Sequence, residues 1–481
     1  MTGLVRAILG LDSRGQAVRA PTGIITVMAL TVAGSIEWAA AAAEQLGLIT
    51  LDPGHFHAAL VQKYMYPQVS PVVQVYAPEG PDLTLHLKRI EDFNARAENP
   101  THWQEKVYSG HDYLERMVKE KPGNVVVISG NNTRKTEYIL RSVNAGLNVL
   151  ADKPMAITPT GFAVLQKAFA EAQAKGVLLY DIMTERCEIT SILQRELAAV
   201  PEVFGKLEAG SADDPGVVME SVHYFFKEVS GKPLIRPAWF FDVRQEGEAI
   251  PDVGTHLIDA VQWICFPGQA LDWKKDVKVL SARRWPTRLT LEQFKRTTGV
   301  AAFPQYLKAE IGPDGLLNEF ANGEVNYALR GIHAKVTARW DFEPPAGGKD
   351  THYCLLRGSR ARLEIRQGPE QNYLPTLHVE NVSDITPAAF ESTLRAAVEK
   401  LSQKYPGVGV KSAGKTWAII VPDKYSVGHE AHFAQVMERF LRYIADGKLP
   451  TWEAPNMLAK YYTTTEAYRL SRSAGTATTQ K

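Results

Sequence analysis

Asp252, His256 and Asp259 stand four and three residues apart in the run Ile250-Pro251-Asp252-Val253-Gly254-Thr255-His256-Leu257-Ile258-Asp259. At helical spacing the three share roughly one side of a helix start. A carboxylate one turn from an imidazole is a natural proton-handling pair, because the charge of one tunes the proton affinity of the other. Taken singly, each residue has an ordinary explanation: an Asp before a helix caps it, and a lone His packs structurally. A second candidate is Asp152-Lys153-Pro154, where Pro fixes the backbone directly after an ammonium-bearing side chain. A third is the loop Asp52-Pro53-Gly54-His55-Phe56-His57, whose carboxylate and two imidazoles raise the question of a metal. Three ligands within six residues of one loop seldom converge on an ion without more distant partners, so no metal is expected.

These residues need elements to position them. Leu257, Ala260, Val261 and Ile264 repeat at the helical period and predict one buried stripe behind His256. Upstream, 47–51, 72–76, 124–129, 148–150 and 176–180 read as short apolar strands. Between them 58–64, 111–120, 135–145 and 158–175 read as helices, the last begun by Thr158-Pro159 and the third ended by Gly146. Strand and helix alternate to about residue 182, which predicts an α/β fold with a doubly wound parallel sheet. Beyond it the strand-like stretches 277–283, 327–342, 352–365, 375–379 and 416–421 are longer and often alternating. They predict a second domain on a large, mostly antiparallel sheet. A helix over 390–405 lies among them, and helices over 430–445 and 453–474 close the chain. The segment 366–425 carries its own strand-helix-strand pattern and reads as an elaboration.

The whole chain bounds the answer further. Its 481 residues suit two domains, and 45% hydrophobic with 22% charged residues is ordinary globular composition. A net charge of +1 without a basic stripe argues against a nucleic-acid partner. Cys187, Cys265 and Cys354 form no CxxC pair, so neither a zinc knuckle nor a disulfide framework is indicated. Arg6, Arg14 and Arg19 precede an apolar stretch from Ile24 to Ile36 and the small residues Ala39 to Ala43. That order predicts a signal peptide over 1–43, export to the periplasm, and no membrane span after cleavage, a cytoplasmic location being the alternative.

Read together, these signals resemble the Gfo/Idh/MocA family of oxidoreductases. Ala151-Asp152-Lys153-Pro154 at a strand end resembles the family's E-K-P, and the run from Asp252 to Asp259 resembles its D-x-G-x-H-x-x-D helix start. Ser129-Gly130-Asn131-Asn132 resembles its T-P-N motif, with Lys135 where that motif has His. The resemblance implies a Rossmann-type dinucleotide-binding domain over 44–182 and a substrate and oligomerisation domain over 183–481. It implies NAD or NADP as cofactor, a carbohydrate substrate and a homo-oligomer. A secondary alcohol would give its hydride to the nicotinamide and its proton to His256, with Asp252 orienting the imidazole and Lys153 binding the reacting oxygen. Gly54, His55, Phe56, Glu79, Ser129, Asn132 and Asp152 would face the cofactor, and Asp259 and Arg186 the substrate.

The phosphate loop departs from that pattern. Where G-x-G-x-x-G belongs, only Gly54 remains, Asp52 places a carboxylate where phosphate lies, and Pro53 lacks an N–H. Export adds a second difficulty, because free nicotinamide cofactor is not expected outside the cytoplasm. Two alternatives therefore stand: a redox-neutral sugar enzyme, glycoside-cleaving or epimerising, that holds one NAD tightly, and a non-catalytic carbohydrate-binding protein on a decayed fold.

Overall fold

A computed structural model describes residues 45–229, 232–414 and 416–477. The expected leader, 1–43, lies outside them.

The first half runs β1 (Leu48–Leu51), α1 (His57–Leu60), β2 (Val72–Tyr76), α2 (Pro81–Ala95), β3 (Gln104–Tyr108), α3 (Tyr113–Glu120), β4 (Val125–Ile128), α4 (Lys135–Asn144), β5 (Asn148–Asp152), α5 (Pro159–Lys175) and β6 (Leu179–Ile182). Its six strands are all parallel, in the order β3-β2-β1-β4-β5-β6. β1 and β4 are buried at every residue, as central strands covered on both faces must be, which is why Leu-Ile-Thr-Leu and Val-Val-Val-Ile lack alternation. Thr158 caps α5 by accepting from the Gly161 N–H at 3.1 Å. Gly176 ends that helix at φ +66°, a left-handed turn that a Cβ would oppose.

Two expectations are corrected here. The helix read over 58–64 is a single turn, His57–Leu60. The stretch between β2 and β4 holds a further helix and strand, α2 and β3. β3 (Gln-Glu-Lys-Val-Tyr) is a polar edge strand, so it has no apolar signature to read.

The second half runs α6 (Ile189–Ala198), β7 (Val217–Tyr224), the short pair β8 (Glu228–Val229) and β9 (Lys232–Pro233), α7 (Val253–Cys265), β10 (Val277–Leu289), α8 (Leu291–Thr298), β11 (Leu317–Leu329), β12 (Ile332–Asp341), β13 (Thr351–Arg357), β14 (Ala361–Gln367), β15 (Thr376–Asn381), α9 (Pro387–Lys404), β16 (Gly409–Ala413), β17 (Thr416–Ile420), α10 (His429–Ala445) and α11 (Glu453–Ala477). Nine strands form one sheet in the order β10-β11-β12-β7-β13-β14-β15-β17-β16, antiparallel except where β7 meets β12. The segment 366–425 extends this sheet through β15, β17 and β16. The expected strands over 327–342 and 352–365 are each two strands, folded at Arg330-Gly331 and around Gly358-Ser359.

Two hydrophobic cores result, one under each sheet. The closing helices serve both. Phe433, Val436, Met437 and Phe440 of α10 lie in the core of the parallel sheet. α11 gives Met457 and Tyr461 to that core and Ala459 and Ala467 to the other.

Candidate active site

In an open parallel sheet, ligands meet the carboxyl ends of the strands where the strand order reverses. Here that point lies between β1 and β4, and the side chains that gather there come from three strand ends. Asp152, at the end of β5, accepts at Oδ2 from His57 Nδ1 at 2.9 Å and from Ser129 Oγ at 2.8 Å. His55 Nδ1 stands 3.9 Å from the same oxygen. The loop that carries the two histidines is anchored by its backbone, with the Gly54 and His55 N–H groups donating to the Ser129 carbonyl. Gly130 permits the approach, because a Cβ there would sit 2.2 Å from the Asp52 carbonyl oxygen. Burial lowers the His57 imidazole, so a neutral ring donates its Nδ1 proton to Asp152. Burial alone would raise Asp152, but the His57 contact and the neighbouring Lys135 charge hold it ionised.

The next residue opens the second half of the site. Lys153 Nζ meets Asp252 Oδ1 at 2.5 Å, with both side chains almost buried. Burial alone would push Lys153 down; the Asp252 and Asp152 carboxylates reverse the shift and keep the ammonium charged. Asp252 occupies the cap position of α7, yet its side chain makes no capping bond. Its partner is therefore Lys153 rather than the helix, and rather than the His256 imidazole it was expected to orient. His256 sits one turn on, half-buried. Burial first, then the Lys153 charge, hold it well below its ordinary pKa, and its Nδ1 has no partner among the described residues.

Two residues join that the sequence did not single out as catalytic. Lys135 reaches across from α4 to donate to the Asp152 carbonyl at 3.1 Å, and burial pushes its ammonium down to about 8. Glu246 is buried, and burial followed by the Asp252 charge lifts its carboxyl well above the usual range. Glu246 lies in no motif, and Lys135 stood out only as a substitute for a motif histidine.

At the diphosphate end the expected cofactor contacts change hands. Gly54 survives, but Asp82 and Trp239 close over it: an added Cβ would lie 3.0 Å from Asp82 Oδ2 and 3.1 Å from Trp239 Cζ2. α1 is too short to offer a helix dipole. The Asp52 carboxylate turns aside to accept from Tyr138 Oη at 2.6 Å. Positive charge beside this loop comes from arginine. Arg236 is 5% exposed, donates to the Phe225 and Tyr224 carbonyls, stacks on the Phe240 and Trp340 rings, and has no carboxylate within ion-pair distance among the described residues. It lines a narrow cleft with Gly54, His55, Phe56 and Arg89, and burial pushes its guanidinium down to about 10. A buried, unpaired guanidinium beside the loop gives a donor set that fits a dinucleotide diphosphate. Glu79 lies exposed beyond the end of β2, accepting from Ser109 Oγ at 3.4 Å.

Three expected site residues are placed elsewhere. Asn132 ties the two halves together by donating to the Glu246 carbonyl at 2.6 Å, while its own N–H donates to the Gln245 carbonyl. Arg186 and Asp259, expected at the substrate, are 3% and 2% exposed and bind each other in a two-pronged pair. Arg186 also holds Glu453, and Lys460 Nζ reaches Asp259 at 2.7 Å and Asp181 at 2.6 Å. Arg186 and Asp259 are thus committed to one another and to α11 rather than to a ligand, although Asp181 Oδ1 has no partner among the described residues. Spacing placed Asp259 on the His256 side of the helix; helix geometry turns it toward α11.

Comparison with known proteins agrees with this architecture. Residues 83–180 match the model described as "Oxidoreductase family, NAD-binding Rossmann fold", and residues 193–472 match that described as "Putative oxidoreductase C terminal domain". A crystal structure from Parabacteroides merdae, titled as a "putative oxidoreductase", is 54% identical. It superposes with a TM-score of 0.88, over 90% of this chain and 98% of that one. A 3-ketoreductase from Actinomadura kijaniata in complex with NADP shares the fold at 14% identity and a TM-score of 0.51, over 89% of this chain and 97% of that one. GenD2 from gentamicin A biosynthesis, in complex with NAD, does so at 14% identity and 0.54, over 90% of this chain and 95% of that one. No curated protein sequence matches at a significant level. With both halves matched and a 54% identical relative covered almost end to end, the chain belongs to the Gfo/Idh/MocA family of oxidoreductases, with its NAD-binding Rossmann domain and its C-terminal oxidoreductase domain.

Proposed function

We propose that the protein oxidises a secondary alcohol of a sugar or sugar derivative, with Lys153, Asp252 and His256 at the reacting carbon. One observation carries the reading: an almost buried ammonium–carboxylate pair lies at the carboxyl end of β5, with a half-buried neutral imidazole one helical turn beyond. When bound, the nicotinamide supplies the hydride acceptor. His256 accepts the hydroxyl proton, for which a neutral ring is the required form. Lys153 donates a hydrogen bond to the reacting oxygen and steadies its developing negative charge. Asp252 keeps that ammonium protonated and in place. Gly54, His55, Phe56, Ser129 and Asp152 lie along the cofactor side, and Arg236 answers the diphosphate. The fold neighbour named a 3-ketoreductase makes a ring ketone and its alcohol the natural pair to assay.

A second reading has an observation of its own. Trp239 donates to Asp82 at 2.7 Å directly over Gly54, so this contact would have to open to admit a dinucleotide and would hold it once closed again. This favours redox-neutral sugar chemistry with a retained NAD, which also suits an exported chain. No helix among the described residues is long and apolar enough to cross a membrane.

Calorimetric titration with NAD and NADP, run beside analysis of nucleotide released on denaturation, tests both. Binding of added dinucleotide supports the first reading, and stoichiometric release from protein as purified supports the second. Arg236→Gln should weaken binding about tenfold or more, the order expected for a buried charge-assisted contact. Neither binding nor release would abandon the dinucleotide reading.

A further inference from the structure

We propose that His55, His57 and Asp152 form a binding site for a divalent transition-metal ion, zinc being the type. One ligand atom from each of the three lies within 4.8 Å of the others. Two imidazole nitrogens and a carboxylate oxygen are the donor set that such ions choose, and three protein ligands leave open positions for water or a substrate oxygen. The loop alone would be a poor chelator. Asp152 changes that, because it comes from β5, 95 residues further along, and is fixed on the opposite wall. Asp52, the carboxylate nearest in sequence, takes no part, since Tyr138 holds it.

The site has the support that metal ligands need. Ser129 Oγ orients the Asp152 carboxylate, and the Ser129 carbonyl pins the loop backbone at Gly54 and His55. The His55 and His57 rings stand 4.0 Å apart, edge to face; His57 Nδ1 faces the Asp152 carboxylate, while His55 Nδ1, 3.9 Å from it, accepts from the His57 N–H and would exchange that bond for the ion. Donors about 2.1 Å from a tetrahedral ion lie roughly 3.4 Å apart, so binding closes the widest pair by up to about 1.4 Å and opens the His57–Asp152 contact by about 0.5 Å. Two positive charges oppose the ion: Lys153, whose ammonium is drawn toward Asp252, and Lys135, which donates to the Asp152 carbonyl at 3.1 Å. On the open side, exposed His429 of α10 has its ring 5.8 Å from that of His57. A cation here also places positive charge beside the loop that lacks the usual phosphate-binding amides.

Binding at His57 Nδ1 moves the proton it now shares with Asp152 to the other ring nitrogen, so the neutral ring takes the ion by changing tautomer. The test is titration of the chelator-treated full chain with zinc chloride alone, followed by calorimetry and by elemental analysis after desalting. The expected result is about one zinc per chain, with affinity about 100-fold weaker in His55→Ala and in Asp152→Asn and unchanged in Asp52→Asn. If Asp152→Asn fails to fold, His55→Ala keeps the test, because His55 makes no direct hydrogen bond to Asp152 and accepts only from the His57 N–H. No zinc uptake would overturn the proposal, and so would uptake that His55→Ala leaves unchanged, which marks adventitious zinc only. No nucleotide is present, so the outcome is independent of the dinucleotide reading.

Discussion

Asp252 has the position of a helix cap and the partner of an active-site residue. A capping bond is worth about 1 kcal/mol, whereas leaving a nearly buried lysine charged without its carboxylate costs about 3 kcal/mol or more. The ion pair outweighs the cap, so the side chain points at Lys153. Lys153→Met should therefore lose turnover and also lower stability by about 3 kcal/mol, because Asp252 is left buried and unpaired. Adding Asp252→Leu should restore most of the stability and none of the turnover. Denaturant midpoints beside initial rates separate the two effects; activity regained with stability would remove Lys153 from the chemistry. The sequence placed these two residues in motifs a hundred positions apart, and their pairing became visible only once β5 and α7 were folded against each other. Glu246 carries no spacing signal at all, because its importance comes from burial beside Asp252. The metal question illustrates the same limit. His55 and His57 were legible, but their third ligand lay in a motif read for another purpose.

Elements with a clear period were the readable ones. β4, α4, β5 and α5 match their apolar runs and caps closely, since each answers to a local rule. α1 fell short because Pro67 and Pro71 follow its single turn and the chain must reach β2. Within α2, the buried face is Leu83, His86 and Ile90, so a histidine occupies a position where its neighbours are apolar. His86 is 2% exposed, neither ring nitrogen has a partner among the described residues, and burial pushes its pKa down to about 3. Because the folded pKa lies below the unfolded value of 6.5, the unfolded chain takes up this proton first as pH falls. Stability from a neutral His86 is present above about pH 6.5 and is lost below it, by about 2 kcal/mol at pH 5. The advantage of His86→Leu over the parent chain should grow by that amount between about pH 7.5 and pH 5 in denaturant titrations. A difference that stays flat with pH would mean that His86 is protonated in the fold.

At the scale of the whole molecule, the two sheets are joined by a buried ionic knot. Lys460 of α11 is 0% exposed and binds Asp181 of β6 and Asp259 of α7, while Glu453 of the same helix binds Arg186. Lys460→Met should destabilise the chain by about 3 kcal/mol, since it leaves the buried Asp181 without a cation and with only the Tyr461 hydroxyl, while Asp259 keeps Arg186. Calorimetric scans should show the parent chain melting in one transition. Two separate transitions would mean that the halves hold together without this helix. α11 also feeds both hydrophobic cores, and it follows every other described element in the chain. A growing polypeptide thus exposes the seam between its halves until this helix emerges from the ribosome. Such a chain stays open while it is made, and becomes resistant to proteases only when synthesis has passed α11.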